Sequence, residues 1–99
     1  MYDIEYSVDV EKDLKKIKKY YRNLIYNAVD EQLPYEPTKQ TKNRKILLNL
    51  IPPWEAIPPV WELKVEDYRV FYDVDEDNKK VYVRAVRLKP PGKLTEEIL

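Results

Sequence analysis

The sequence feature that most constrains the fold is an alternation of apolar and polar residues through 60–74, VWELKVEDYRVFYDV. Trp61, Leu63 and Val65 lie on one side of an extended chain, because successive side chains of a strand point in opposite directions. After a break at Glu66–Asp67 the alternation resumes, in residues with a high propensity for β structure. The pattern predicts a tight antiparallel hairpin with one apolar face that must be covered.

The other face of the predicted hairpin carries Lys64 and Arg69, which we expect on neighbouring strands and on the same side. The turn signal DEDN at 75–78 separates this hairpin from a last strand, KKVYVRAVRLK, at 79–89. In that strand the alternation places Val81, Val83 and Ala85 on one face and Lys80, Tyr82 and Arg84 on the other. We therefore expect any chemistry on the face that holds the basic residues.

Two helical stripes precede the hairpin, after an alternating first strand at 2–8. Ser7 or Asp9 is suited to cap the first helix. The helical stripes consist of apolar residues at positions 10, 14, 17 and 21 and at 24, 25, 28, 29 and 33, and a turn is expected near 20–23. The order of elements predicts an α+β fold, a small antiparallel β-sheet (β-α-α-β-β-β) with a two-helix hairpin packed on one face.

We interpret residues 1–99 as a single domain that contains an irregular Pro-rich connector at 34–59 and a tail at 90–99. Paired prolines are incompatible with a central strand, and the connector holds the near-repeat IPPWEAIPPVWE. Two interpretations of the connector stay open: a lid or partner-binding loop, or a semi-rigid connector whose Trp54 packs on the sheet edge. The tail is either a docked short helix or a frayed end.

Composition excludes several classes of chemistry. The chain has no cysteine and no histidine, which excludes disulfides, thiol nucleophiles, Cys/His zinc sites and imidazole triads, and we expect neither a metal nor another cofactor. No apolar run is long enough to span a membrane and no signal-like start is present, so we expect a cytoplasmic protein without a membrane partner. The net charge is zero, so only a local basic patch would indicate a nucleic acid.

Two stretches, EKDLKKIKK and WELKVEDYRVFYDVDEDNKKVYVRAV, resemble the RelE/ParE toxin superfamily of type II toxin–antitoxin pairs, and its RelE-like members most. The most specific part is DYRVFYDVDE, around Arg69, and the resemblance covers residues 2–88. It implies two helices on a small antiparallel sheet and a cognate antitoxin protein as partner. RelE-like members cut mRNA on the ribosome, whereas ParE-like members inhibit DNA gyrase.

The resemblance also implies a set of catalytic residues on the open sheet face. By position, Lys64 matches a strand lysine, Arg69 matches the arginine of a Tyr-Arg pair, and Lys89 lies near a further basic position. Metal-free RNA cleavage needs a proton acceptor, a cation for the phosphorane and help for the leaving oxygen. Arg69 would bind the phosphate, and Tyr82 or Lys89 would assist the leaving group. Arg84, with Arg69, would favour the neutral amine of Lys64 as base.

Nucleic-acid binding is predicted at two further places. Phe71, on the same face as Arg69, would stack on an unpaired base. The loop TKQTKNRK holds four basic residues and no acid, namely Lys39, Lys42, Arg44 and Lys45.

The leading hypothesis is a toxin that acts as a ribosome-dependent, metal-free endoribonuclease (an mRNA interferase) and blocks translation. One alternative is a ParE-like gyrase inhibitor without catalysis, and another is an inactive family member that serves only to bind its antitoxin. The alternatives rest on Glu62, which stands where ribonuclease members often carry a lysine, on a tail without the late Tyr or His, and on the neutral charge.

Overall fold

Five strands form one mixed sheet in the computed structural model, which describes residues 1–99. The strands are β1 (Asp3–Tyr6), β2 (Arg44–Leu47), β3 (Val60–Val65), β4 (Tyr68–Asp75) and β5 (Lys80–Leu88), in the spatial order β1-β5-β4-β3-β2. The α+β class with two helices on a sheet is confirmed, but β1 pairs in parallel with β5, so the all-antiparallel arrangement was wrong. The two helices connect β1 to β2, which form the two opposite edges of the sheet.

The two helices are α1 (Val8–Lys15) and α2 (Lys19–Gln32). Ser7, one of the two predicted caps, is the N-cap of α1, and its Oγ accepts a hydrogen bond from the Val10 amide at 3.1 Å. The helices are separated at 16–18, earlier than the predicted turn at 20–23. The apolar stripe continues without interruption past this point, so periodicity does not reveal the break. Neither helix has the length and apolar character needed to cross a membrane.

The main core lies between the helices and one face of the sheet. It is a cluster of 13 buried residues: Val10, Leu14, Ile25, Val29, Leu33, Trp61, Leu63, Val65, Val70, Tyr72, Val81, Val83 and Val86. Both predicted helical stripes contribute, and so does the apolar face of the predicted hairpin. Each fully buried aliphatic side chain stabilises the fold by about 1.5–3 kcal/mol. The helices therefore anchor one face of the sheet, and the basic residues lie on the other.

A β-bulge in β5 changes which side chains share a face. Phe71 is opposite Ala85 but the next residue, Tyr72, is opposite Val83, so Arg84 is an additional residue in β5. Val81 and Val83 face the helices as predicted, whereas Ala85 packs on the second face with Phe71. The predicted face of Ala85 was therefore wrong, because one extra residue reverses the alternation beyond it.

The second face is covered over part of its area. Val60, Phe71 and Ala85 form a small buried cluster, against which the connector and the tail place Leu47, Leu50, Trp54, Ala56, Ile98 and Leu99. Trp54 packs on this face rather than on the sheet edge, with its ring 5.4 Å from that of Phe71. The connector contains one regular element, β2, and the tail is docked and includes a 3₁₀ turn at Thr95–Glu97.

Candidate active site in a cationic cleft

Three cations stand side by side across the second face of the sheet. Lys64 of β3 is directly opposite Arg69 of β4, and Arg69 is opposite Arg87 of β5. Directly opposed residues point to the same side, so the three side chains form one row. Sequence reasoning expected Arg84 in the place of Arg87. The bulge adds one residue to β5. Counting alternate residues from the DEDN turn therefore does not predict that Arg87 is opposite Arg69.

Strand β2 and the loop before it enclose Lys64 and Arg69 in a cleft of about 240 Å³, whereas Arg87 lies outside it and pairs with Asp13 of α1 at 3.2 Å. The cleft is lined by Thr41, Lys42, Asn43, Arg44, Lys45, Glu62, Lys64, Arg69 and Lys89. Six of these are cationic, one is a carboxylate and none is hydrophobic. A concave surface with such an excess of positive charge attracts polyanions, among them nucleic-acid backbones.

Arg69 is held rigidly at the floor of the cleft. Its Nη1 donates hydrogen bonds to the carbonyl oxygens of Glu66 at 3.0 Å and Tyr68 at 2.9 Å. Its Nε lies 3.8 Å from Oε1 of Glu62, and only 12% of the side chain is exposed. A guanidinium fixed in this way needs little reorganisation to bind a phosphate, which makes it suited to stabilising charge that develops during a reaction.

Glu62 is the one carboxylate of the cleft and is only 4% exposed. Its Oε1 accepts a hydrogen bond from Thr95 Oγ1 at 3.0 Å, and its Oε2 lies 3.4 Å from Nζ of Lys45. These partners offset the cost of burying the carboxylate. Sequence reasoning missed Glu62 as a member of the site, because its partners come from β2 and from the tail, which no local pattern connects to β3.

The remaining lysines of the cleft are free of carboxylate partners. Lys42, Lys64 and Lys89 form none of the ion pairs of the chain, which extend to 4.0 Å. The backbone amide of Lys89 donates to the carbonyl of Asp67 at 2.7 Å, which holds the end of β5 against the β3–β4 turn. The three amines are therefore available to an anionic ligand.

Tyr82 and Arg84 do not line the cleft, contrary to prediction. Arg84 forms a two-point pair with the buried Asp73, with Nε–Oδ2 at 2.9 Å and Nη2–Oδ1 at 3.1 Å. These hydrogen bonds raise the pKa of Arg84. The guanidinium also lies over the Tyr82 ring, 4.6 Å from its centroid. Arg84 is therefore committed to a structural pair.

The four cations of the TKQTKNRK loop and Phe71, all predicted to bind nucleic acid, differ in whether they are accessible in the cleft. Lys42 and Lys45 line the cleft, whereas Lys39 lies outside it and pairs with Glu36 at 3.4 Å. Arg44 forms part of the wall but is only 8% exposed, and its Nη1 donates to the Glu36 carbonyl at 2.7 Å. Phe71 is fully buried beneath the connector. The prediction that it would be free to stack on a base was wrong, because the apolar connector covers it.

Solved structures share this architecture. A chain of the archaeal RelE–RelB complex from Pyrococcus horikoshii OT3 is 23% identical and has a TM-score of 0.69, covering 94% of this chain and 98% of that chain. A chain of a toxin–antitoxin complex from Mycobacterium tuberculosis is 17% identical, with a TM-score of 0.67 and coverage of 89% and 98%. The isolated RelE toxin of E. coli is 16% identical, with a TM-score of 0.66 and coverage of 98% and 94%.

Sequence comparison gives the family. No curated protein matches the chain. The sequence profile described as the ParE toxin of type II toxin–antitoxin system, parDE, matches residues 4–88. That match spans both helices, strands β2 to β5 and all of β1 except its first residue, and it includes the DYRVFYDVDE segment around Arg69. The chain therefore belongs to the ParE toxin family and is a RelE/ParE-like toxin of a type II toxin–antitoxin system.

Proposed function

We propose that the chain is an endoribonuclease that cleaves mRNA on the ribosome and so blocks translation. The observation that carries the proposal is the cleft itself, in which Lys64, Arg69 and Lys89 lie together with Glu62. Three of the five residues predicted to be catalytic from sequence thus line one concave, wholly polar surface. The free amines and the fixed guanidinium supply the cations that metal-free cleavage of a phosphodiester needs.

In this proposal Arg69 binds the scissile phosphate and stabilises the negative charge that develops on its oxygens. Lys64 and Lys89 flank it, where an ammonium can neutralise the phosphate or donate a proton to the leaving 5′-oxygen. The proton of the attacking 2′-hydroxyl goes to one of two groups in the cleft, the Glu62 carboxylate or the Lys64 amine. Both lie in β3, beside Arg69 of β4.

Substitution of Glu62 separates these two acceptors. Glu62→Gln should lower the single-turnover rate of cleavage at least about 100-fold if the carboxylate accepts the proton, and should leave the rate nearly unchanged if the Lys64 amine does.

We also propose that a cognate antitoxin binds the chain and keeps it inactive. The proposal is supported by the family and by the toxin–antitoxin complexes among its structural relatives, such as those from Pyrococcus horikoshii and Mycobacterium tuberculosis. Co-expression with the protein encoded beside it should give a stable complex and should remove the activity.

Cleavage of mRNA on purified ribosomes tests the proposal. The wild-type protein should cut ribosome-bound mRNA, and Arg69→Ala should lower the rate at least about 100-fold, the effect of removing one donor from a developing charge. Lys80→Ala is the matched control, because Lys80 pairs with Glu5 away from the cleft and should leave the rate unchanged. Intact mRNA after incubation with folded wild-type protein would contradict the proposal.

A second candidate function is inhibition of DNA gyrase, which the match to the ParE profile favours. Gyrase supercoiling measured with excess wild-type protein provides the test. Inhibition that persists in Arg69→Ala, together with intact mRNA, would favour gyrase as the target. A chain that affects neither process but binds its antitoxin would be a binding module only.

A further inference from the structure

A row of three tyrosines lies outside the cleft, on the helix side of the sheet. The Tyr20 and Tyr21 rings are 5.1 Å apart between centroids, and those of Tyr21 and Tyr68 are 5.7 Å apart. Tyr20 is 67% exposed and Tyr21 is 37% exposed, while Tyr68 is half-buried. Tyr68 packs partly against the main core, but none of the three hydroxyls takes part in the side-chain hydrogen bonds of the chain, so no polar network accounts for the exposed rings of Tyr20 and Tyr21.

Four lysines precede Tyr20 and Tyr21 in the chain, and no carboxylate neutralises them. Lys15, Lys16, Lys18 and Lys19 stand at the end of α1, in the link and at the start of α2. None of them takes part in an ion pair, and the first turn of α2 contains no acidic residue. The nearest acid in α1, Asp13, is already paired with Arg87 at 3.2 Å. The charge of these lysines is therefore available to a ligand.

The tyrosine row and the cleft belong to the same end of the sheet. Tyr68 immediately precedes Arg69 in β4, and successive residues of a strand point to opposite faces. Tyr68 is also opposite Leu88, the residue before Lys89. A bound nucleic-acid chain that leaves the cleft past Arg69 or Lys89 would thus meet the tyrosine row once it passes around the β3–β4 turn.

We infer that the tyrosine row and its lysines form a base-stacking subsite for single-stranded RNA, continuous with the phosphate-binding cleft. The inference rests on the proposed function and extends it to the nucleotides beside the cleavage point. Exposed aromatic rings that stack on bases, flanked by cations that follow the backbone, are the combination by which proteins hold single strands without reading their sequence. An acidic protein segment would use the lysines but would not need exposed rings.

Affinity for a fluorescent single-stranded RNA of about ten nucleotides, a length that one such site can hold, tests the inference, with an abasic strand of equal length beside it. Tyr20→Ala should weaken binding of the base-bearing strand about tenfold and leave the abasic strand unchanged. Tyr20→Phe should bind as the wild type does, because the ring is kept. Tyr35→Ala is the matched control, since Tyr35 is 61% exposed and lies outside the row.

Salt dependence tests the lysines separately. Lys18→Gln combined with Lys19→Gln should lower the slope of log affinity against log salt by about 0.7 for each phosphate that the two lysines neutralise in the wild type. Lys79→Gln, which removes a lysine paired with Glu76, should leave the slope unchanged.

Failure of the subsite and failure of the proposed function give different results. Equal binding by wild type and Tyr20→Ala, with weaker binding by Arg69→Ala, would overturn the subsite and leave the cleft in place. If Arg69→Ala also bound as tightly as the wild type, the proposed function would fail with it. No binding of the short strand by the wild-type protein would likewise overturn the subsite.

Discussion

Lysines at one end of the sheet are paired with carboxylates, whereas three lysines at the other end are not. Around the β4–β5 turn, Lys79 pairs with Glu76 at 3.9 Å and Lys80 pairs with Glu5 at 2.6 Å. At the cleft end Lys42, Lys64 and Lys89 have no carboxylate partner. The chain as a whole carries no net charge. Bulk neutrality therefore conceals a local excess of unpaired cations, and such a local excess is what attracts an anion.

The same contrast separates the two arginines predicted to share a site. Arg84 forms a two-point pair with Asp73, whereas the Nη1 of Arg69 donates to two carbonyl oxygens and its nearest carboxylate oxygen is 3.8 Å away. Arg84 thus satisfies a buried carboxylate. Arg69 keeps its charge for a ligand. Unpaired cations at one end of the sheet repel each other and lower the stability of the fold. The core on the opposite face of the sheet must offset this repulsion.

The largest expected effect tests this division between the arginines. Arg84→Ala should lower the free energy of unfolding by about 3 kcal/mol, because it leaves the buried Asp73 carboxylate without its partner. Arg69→Ala should change it by less than about 1 kcal/mol, since Glu62 keeps Lys45 and Thr95. Urea unfolding of the two variants measures both values. Equal losses would show that Arg69 is as structural as Arg84.

Of two buried tyrosine hydroxyls, one has a hydrogen-bond partner and the other does not, and we expect smaller changes in stability when each is removed. Tyr72 donates to the Pro37 carbonyl at 2.6 Å, while the buried Tyr6 hydroxyl has no partner. Tyr72→Phe should cost about 1–2 kcal/mol because it leaves a buried carbonyl unsatisfied, and Tyr6→Phe should be neutral or stabilising by up to about 1 kcal/mol. Thermal and urea unfolding at neutral pH check the pair. A larger loss in Tyr6→Phe would contradict the assignment.

The pKa values of these two hydroxyls predict how the free energy of unfolding changes at alkaline pH. Burial raises the pKa of Tyr72 and of Tyr6 above the ordinary value near 10. The folded state therefore holds these protons more tightly than the unfolded state, so their contribution is complete below pH 10 and is lost as the pH rises above it. Unfolding free energies measured from pH 8 to pH 11 should decline more steeply in the wild type than in Tyr72→Phe. Parallel declines would assign the alkaline loss to other groups.

The smallest expected effect compares one lysine from each end of the sheet. Lys64→Gln and Lys80→Gln remove the same charge, but only Lys64 lines the cleft. Lys64→Gln should lower the salt slope of RNA binding by about 0.7, the value for one phosphate of a single strand, and Lys80→Gln should leave it unchanged. Titrations at several salt concentrations measure the slopes. Equal slopes in the two variants would mean that the whole surface, rather than the cleft, attracts RNA.

Local pattern was sufficient for much of the fold. The alternation in 60–74 predicted the β3–β4 hairpin, the apolar spacing predicted both helices, and the cap of α1 is Ser7, one of the two predicted candidates. The DYRVFYDVDE segment was sufficient to suggest the toxin superfamily, to which the profile match then assigned the chain. These features depend on residues close together in the chain, where side-chain period and capping chemistry act directly.

The site was predictable only in part. Lys64 and Arg69 are opposite each other across one tight turn, so their pairing followed from the hairpin alone. Phe71 was placed on the correct face, but its burial depends on Trp54 of the connector. Glu62 appeared only as a departure from the family, since Lys45 and Thr95 come from distant segments.

Tertiary structure alone decided which cations share the cleft. The bulge in β5 turns Arg84 away from Arg69, and the pairing of β2 with β3 brings Lys42 and Lys45 to Lys64. The docked connector and tail then cover the apolar part of the face and leave the polar end open. Sequence periodicity identifies elements and faces because it is local, whereas a bulge, an added edge strand and a docked loop depend on contacts between segments far apart in the chain.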